Sequence, residues 1–365
     1  MFAKAPKTTV GKPFRLSGHF ALQGRRDACP TGFVMKIAQF RLYLDFIMKA
    51  LIFDGKIRLE KNVPVPKRKP FEALIRVLKA GICQTDLEII KGYLHFQGIL
   101  GHEFVGIVEE SQNQGLLGKR VVGEINLACG KCIYCQEKMP SHCNAGSVLG
   151  IKDKNGCFAE YITLPTNNIH VIPDSIADDE AIFIEPLAAA LQILTQVHIR
   201  PQDDVIILGD GRLGQLCSQV MSLTGAHVLT VGKHLKKLTI LKKKGIKTCR
   251  FDEVSPKKAD VVIECTGSPA GFNAALNLVH PRGTIVLKST YEVNPPIDLA
   301  PIVIDEITII GSRCGPFPPA IRLLENKVID VLSLISQRVS FDKAIEAIKA
   351  ARQKDNLKII LDISK

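Results

Sequence analysis

One stretch constrains this chain more than any other: Val205-Ile-Ile-Leu-Gly209-Asp-Gly211-Arg-Leu213-Gly214. An apolar, β-branched run ends in three glycines spaced Gly-x-Gly-x-x-Gly, and a helical pattern follows to Leu223. The first glycine permits a tight turn. The second lets a pyrophosphate approach the backbone, and the third lets helix and strand pack closely. The helix N-terminus adds a dipole that favours phosphate. A second apolar run at 228–231 gives the turn the strand–helix–strand setting it needs. Gly209, Gly211, Leu213 and Gly214 are therefore candidate nucleotide-binding residues.

The rhythm around this turn sets the fold class. Further strands are expected at 260–264, 284–287 and 307–310, alternating with helical stretches, and that alternation implies parallel βαβ units. Upstream, residues 48–163 read as short strands (50–53, 73–80, 104–108, 120–124) broken by Gly, Pro and Lys. That pattern suits a compact β-barrel-like domain. The tail pairs a helix (341–352) with a strand (358–363), which is expected to return to the first domain. The reading is α/β, with domains at 48–190, 191–315 and a return at 316–365. Residues 1–47 form a basic extension without hydrophobic period, and the functional chain is expected to begin at Met48.

The chain has 11 cysteines, and their spacing points to metal rather than to a disulfide framework. Cys129, Cys132, Cys135 and Cys143 form Cys-x2-Cys-x2-Cys-x7-Cys in one short loop. Four thiolates so placed suit a closed tetrahedral zinc site, whose full ligand set leaves no position for substrate. An iron–sulfur cluster is the other metal reading. Separately, Cys83 is expected to end a strand, and 19 residues later comes Gly101-His102-Glu103-Phe-Val-Gly106. A thiolate and an imidazole at strand edges could share a second metal with coordination left open. The third ligand is either Glu103, beside the histidine, or Glu185 in Ile184-Glu185-Pro186, where Pro186 favours a helix start or kink.

Taken together, Cys83 with Thr85-Asp86, Gly-His-Glu-x-x-Gly, the four-cysteine loop and the later Gly-rich turn resemble the zinc-containing medium-chain dehydrogenase/reductase family. The resemblance runs from Met48 to the end, with the motifs in the family's order. It implies a GroES-like catalytic domain around a Rossmann doubly wound domain. It also implies two zinc ions per chain, one catalytic and one structural, and a dimer or tetramer. Cys83 and His102 would be catalytic ligands, Glu103 an alternating ligand or support, and Asp86 a support. Glu185 falls where polyol-type members use a glutamate. The implied chemistry is hydride transfer between an alcohol (polyol, sugar or amino-alcohol) and a nicotinamide cofactor, with a zinc-bound alkoxide as the hydride donor. Thr85 would pass the alcohol proton outward. Many alcohol dehydrogenases carry a histidine five residues after the catalytic cysteine, and here that position is Glu88.

The cofactor is read from the end of the second strand. An NAD site usually places an acid there. This chain has Gly232 followed by Lys233 and His234, with Lys236 and Lys237 close behind. Cations in place of the acid favour NADP over NAD, with Lys233 and His234 as candidate ligands.

The net charge of +12 does not make the chain a nucleic-acid binder, because half of the excess lies in residues 1–47. No apolar run reaches the roughly 18 residues of a membrane span, so a cytoplasmic protein with a small-molecule substrate is expected. Two alternatives compete: a non-catalytic nucleotide binder or zinc-free reductase that kept the fold, and a zinc-ribbon binder. The first would be free to lose Cys83, His102 or the carboxylate. The second leaves the Gly-rich half unexplained.

Overall fold

The computed structural model describes residues 47–254, 258–290 and 297–364. The expectation for the leader at 1–47 lies outside them apart from Ile47, which opens the first strand, Ile47–Phe53.

The nucleotide-binding half is built on one six-stranded parallel sheet. In chain order its strands are Asp204–Leu208, His227–Gly232, Lys247–Arg250, Ala259–Glu264, Val279–Leu287 and Thr308–Gly311. In space the order is third, second, first, fourth, fifth, sixth. The order reverses between Asp204–Leu208 and Ala259–Glu264, which opens a crevice at their C-terminal ends. Strand alternation explains the two cores. Val205 and Ile207 face one buried cluster with the helices Ile184–Gln196 and Arg212–Ser222, whereas Ile206 and Leu208 face the other. The purely apolar run at 205–208 is thus what a strand buried on both faces requires.

The other half centres on a seven-stranded, mostly antiparallel sheet. Glu72–Gly81 is its hub, pairing with Glu103–Ser111, Tyr161–Pro165 and Lys358–Asp362. The last of these comes from the far end of the chain. It also runs parallel to Ile335–Ser340, so the C-terminus closes the sheet begun near residue 72. Phe158, Leu51, Ile75 and Leu100 fill the barrel interior, and Phe341 from the tail packs with them.

The expected strand at Cys83 ends earlier than the sequence suggests. Pairing stops at Gly81, and Cys83 instead precedes the helix Gln84–Ile90. Asp86 is the reason. Its carboxylate accepts the Cys83 N–H at 2.8 Å, which satisfies one of the orphan donors of a helix start. No helix among the described residues is long and apolar enough to cross a membrane.

Candidate active site

Register assembles the first cluster. Gly81 lies opposite Glu103 in the antiparallel pair, so the residues just past one strand meet those just before the other. Cys83, His102 and Glu103 offer ligand atoms within 4.8 Å of one another. His102 and Glu103 are buried, and Cys83 is half-buried at the helix start. Gly81 makes room: a Cβ there would lie 2.5 Å from a Glu103 carboxylate oxygen.

Buried charge in this cluster is compensated. Glu103 pairs through one oxygen with the Lys358 ammonium, and each side chain is 1% exposed. Asp86, fully buried, sits behind the histidine. Its Oδ1 lies 3.3 Å from His102 Nδ1 and accepts the Gly101 N–H at 3.2 Å. The imidazole contact is close enough to fix the ring but not aligned as a hydrogen bond. Burial opposes a charged His102, yet Asp86 and the Cys83 sulfur outweigh it and hold its pKa well above the usual value. Soft sulfur, imidazole and carboxylate form the donor set that zinc takes in open sites, so these residues fit that ion.

Glu185, in the first turn of Ile184–Gln196, lies outside the tight group of three. It still feels their charges. Burial pushes its carboxyl up to about 7, with His102, Glu103, Lys358 and Lys288 all close enough to act on it. Thr85 is the second residue of the helix Gln84–Ile90, with its hydroxyl 3.8 Å from the Cys83 sulfur. Glu88 lies one turn further along. One of its oxygens accepts from Gln84 Nε2 and Lys91 Nζ, both at 2.8 Å. Burial works to raise the Glu88 pKa, but these two donors bring it below the usual carboxylate range.

The four-cysteine loop forms a second cluster, with all ligand atoms again within 4.8 Å. Cys132 lies 3.5 Å from Cys135 and 3.7 Å from Cys143, and Cys129 lies 4.0 Å from Cys135, sulfur to sulfur. A tetrahedron of sulfurs around zinc has edges of about 3.8 Å, so the set fits a closed site without rearrangement. The crowding perturbs the thiols in opposite senses. The Cys135 backbone N–H draws Cys132 down to about 6, while desolvation and neighbouring sulfurs push Cys135 up to about 12. His142 is not part of this cluster. His95 lines a surface groove of about 340 Å³ with Phe96, Lys152 and Lys154.

In the Gly-rich turn, Gly209 takes φ +120°, a conformation that an L side chain rarely adopts. A Cβ on Gly214 would lie 2.0 Å from the Gly209 carbonyl, so helix and strand could not close with any larger residue. The backbone at Gly211 faces open space, as a passing pyrophosphate requires. Leu213 packs at the edge of the neighbouring core. Lys233 sits with its ammonium 5.8 Å from the Phe251 ring centroid, and His234 precedes the helix Leu235–Lys242.

Sequence reasoning missed two residues here. Arg212, the variable position of the turn, donates to the Ile82 carbonyl at 2.6 Å and to Gln84 Oε1 at 3.2 Å. It therefore joins the turn to the loop that carries Cys83. Lys288 follows Val279–Leu287 and donates to Ala189 O, Ser312 Oγ and Arg313 O, which knits three segments together; burial lowers its pKa. A basic residue inside the glycine motif was the available signal for Arg212, whereas Lys288 carried none.

Comparison with known proteins agrees with this assembly. Residues 69–174 match the model for the alcohol dehydrogenase GroES-like domain, and residues 213–326 match that for zinc-binding dehydrogenase. An erythritol/L-threitol dehydrogenase of Mycolicibacterium smegmatis is 28% identical over 86% of this chain and 97% of its own length. A D-arabitol-phosphate dehydrogenase of Enterococcus avium is 29% identical over 82% of this chain and 92% of its own. A zinc-binding dehydrogenase from Sinorhizobium meliloti, solved bound to NADP, superposes with a TM-score of 0.78 at 28% identity, covering 87% of this chain and 99% of that one. With the barrel, the strand order and the two clusters of metal-type side chains, these matches establish that the chain belongs to the zinc-containing medium-chain dehydrogenase/reductase family, and that it is an alcohol oxidoreductase working with zinc and a nicotinamide cofactor.

Proposed function

We propose that this enzyme holds two zinc ions and oxidises a polyol or sugar alcohol, with NADP as the preferred hydride acceptor. The observation that carries the proposal is the convergence of Cys83, His102 and Glu103 beside the loop that Arg212 ties to the Gly-rich turn. That junction brings a metal-type donor set and a dinucleotide cradle to one place. The polyol relatives support the substrate class.

In this reading Cys83, His102 and Glu103 would hold the catalytic zinc, with Glu185 as the alternative carboxylate. Zinc held there supplies Lewis acidity, which lowers the pKa of an alcohol beside it. Asp86 keeps the His102 ring oriented, and Lys358 neutralises the far side of Glu103. Thr85 takes the alcohol proton at its hydroxyl and hands it toward Glu88, whose carboxylate Lys91 keeps ionised. Gly209, Gly211, Leu213 and Gly214 seat the dinucleotide, with Lys233 and His234 at its adenosine end. Cys129, Cys132, Cys135 and Cys143 hold the structural zinc. Ligand thiols of this number suit a reducing compartment, and we place the enzyme in the cytoplasm. We also infer a homo-oligomer, since Ile309 on the edge strand and Val303 and Ile304 beside it are exposed.

The test is zinc stoichiometry on the parent and on Cys83→Ala, with a polyol panel assayed against NADP and NAD. Two zincs falling to one, with polyol-dependent NADP reduction in the parent alone, is the expected result. A parent that holds one zinc and keeps it in the variant would exclude the catalytic site.

A further inference from the structure

The strand His227–Gly232 ends in glycine where an NAD site places its ribose-binding acid, yet the space beside it is filled. A Cβ on Gly232 would lie 2.6 Å from both the Cβ and the Oδ2 of Asp210. An acid is therefore present at the end of the second strand, but it comes from the Gly-rich turn. Its orientation differs from that of a ribose ligand. Asp210 Oδ2 accepts the backbone N–H of Lys233 at 2.7 Å and of His234 at 2.6 Å. His234 Nδ1 lies 3.0 and 3.1 Å from its two oxygens. Gln215 Nε2 donates to the Asp210 carbonyl and to that of Lys237, so the main chain is held as well. The Asp210 side chain is 8% exposed. Three protein donors already occupy a carboxylate that offers about four acceptor sites, and little remains for a ribose hydroxyl pair.

We infer that Asp210 is the specificity-determining residue of the adenosine pocket, an inward-turned acid that shapes residues 233–237 to receive a 2′-phosphate. It pins the 233–234 backbone and engages His234 through Nδ1, which leaves Nε2 as the ring nitrogen available to a ligand. Cationic side chains lie around it, with the Asp355 carboxylate also acting on Lys237. Lys237, buried on the next helix, lies within its field, and burial lowers the pKa of that lysine. Arg212 acts on Lys237 from the turn, and Lys233 stacks on Phe251 at the rim. A second acid at position 232 would compete with Asp210 for the same volume and the same donors. The usual single exchange toward NAD is thereby blocked, and Asp210 has to leave first.

The inference rests on the NADP reading, and the experiment separates the two. Gly232→Asp, Asp210→Asn and the double variant Asp210→Gly/Gly232→Asp are compared with the parent by thermal melting and by calorimetric titration with NADP and NAD. Gly232→Asp is expected to lower Tm and weaken both dinucleotides by about tenfold or more, as crowded like charges do. The double variant is expected to recover Tm and move the NADP/NAD affinity ratio about 100-fold toward NAD, as a carboxylate that meets the ribose hydroxyls and repels a 2′-phosphate would do. Asp210→Asn is expected to weaken NADP several-fold with no gain in NAD. A Gly232→Asp protein as stable as the parent and binding NAD well would overturn the inference, as would an Asp210→Asn protein with unchanged NADP affinity. A parent that prefers NAD would overturn the NADP reading and the 2′-phosphate role of Asp210 together, whereas a parent that prefers NADP with either of the two results above would overturn the role of Asp210 alone.

Discussion

Lys358 and Glu103 meet in a place where neither is tolerable alone. Removing one partner of a buried pair leaves an uncompensated charge, so Lys358→Met should cost about 3–5 kcal/mol in denaturant unfolding. An unchanged midpoint would mean that the pair is solvated in solution. At the proposed zinc site, Glu103→Gln and Glu185→Gln should differ. Glu103→Gln removes a carboxylate already within 4.8 Å of Cys83 and His102, so the catalytic zinc should drop out of metal analysis. Glu185→Gln should retain that zinc and lose turnover. The reverse pattern would make Glu185 the primary ligand. The sequence offered both carboxylates and no way to rank them. Their distances from the cysteine depend on a strand register that no local pattern states.

Among the elements, the Gly-rich turn and the Cys83 loop are coupled by one side chain. Arg212→Ala gives up two hydrogen bonds across the junction and should weaken cofactor binding about tenfold, read by titration. Arg212→Lys should recover only part of this, since its shorter side chain and compact ammonium lack the planar fork that spans both acceptors. A second junction closes the barrel. Asp179, in the short helix Asp178–Ala181, accepts from Lys79 at 2.5 Å and from Arg338 at 2.6 Å, joining the hub strand to the strand Ile335–Ser340. Burial would raise its pKa, but the two cations win and hold it below the usual carboxylate range. Its stabilisation is therefore present above an unfolded pKa of about 3.9 and is lost as pH falls through the lower folded value. Asp179→Asn should cost about 1–3 kcal/mol at neutral pH, and the gap to the parent should close below about pH 4. A gap that persists in acid would assign the loss to packing instead.

For the molecule as a whole, the proposed structural zinc would make the four-cysteine loop a metal-dependent part of the fold. Its sulfurs already sit at tetrahedral spacing, and its short helix Ile133–Gln136 buries no residue. Chelation of both zincs should therefore lower Tm, and Cys132→Ser should reproduce most of that loss while Cys83→Ala does not. Equal losses for the two variants would refute the division into a structural and a catalytic ion.

Some of this was fixed in the sequence because the physics is local. Glycine spacing dictates the turn, apolar alternation dictates strands buried on one face or both, and four cysteines within 15 residues must meet wherever the loop folds. The βαβ rhythm and the family resemblance followed from those features. The folded chain decided what lies far apart in sequence. Gly81 and Glu103 come into register, Lys358 arrives from the C-terminus to neutralise the buried Glu103 carboxylate, and Arg212 reaches across to the Ile82 carbonyl. Asp210 is the clearest instance. In the sequence it is the unremarked second residue of a glycine motif, and the acid of the second strand looks absent. In three dimensions the turn folds against the strand end, and one carboxylate fills the space that another residue's missing side chain leaves open.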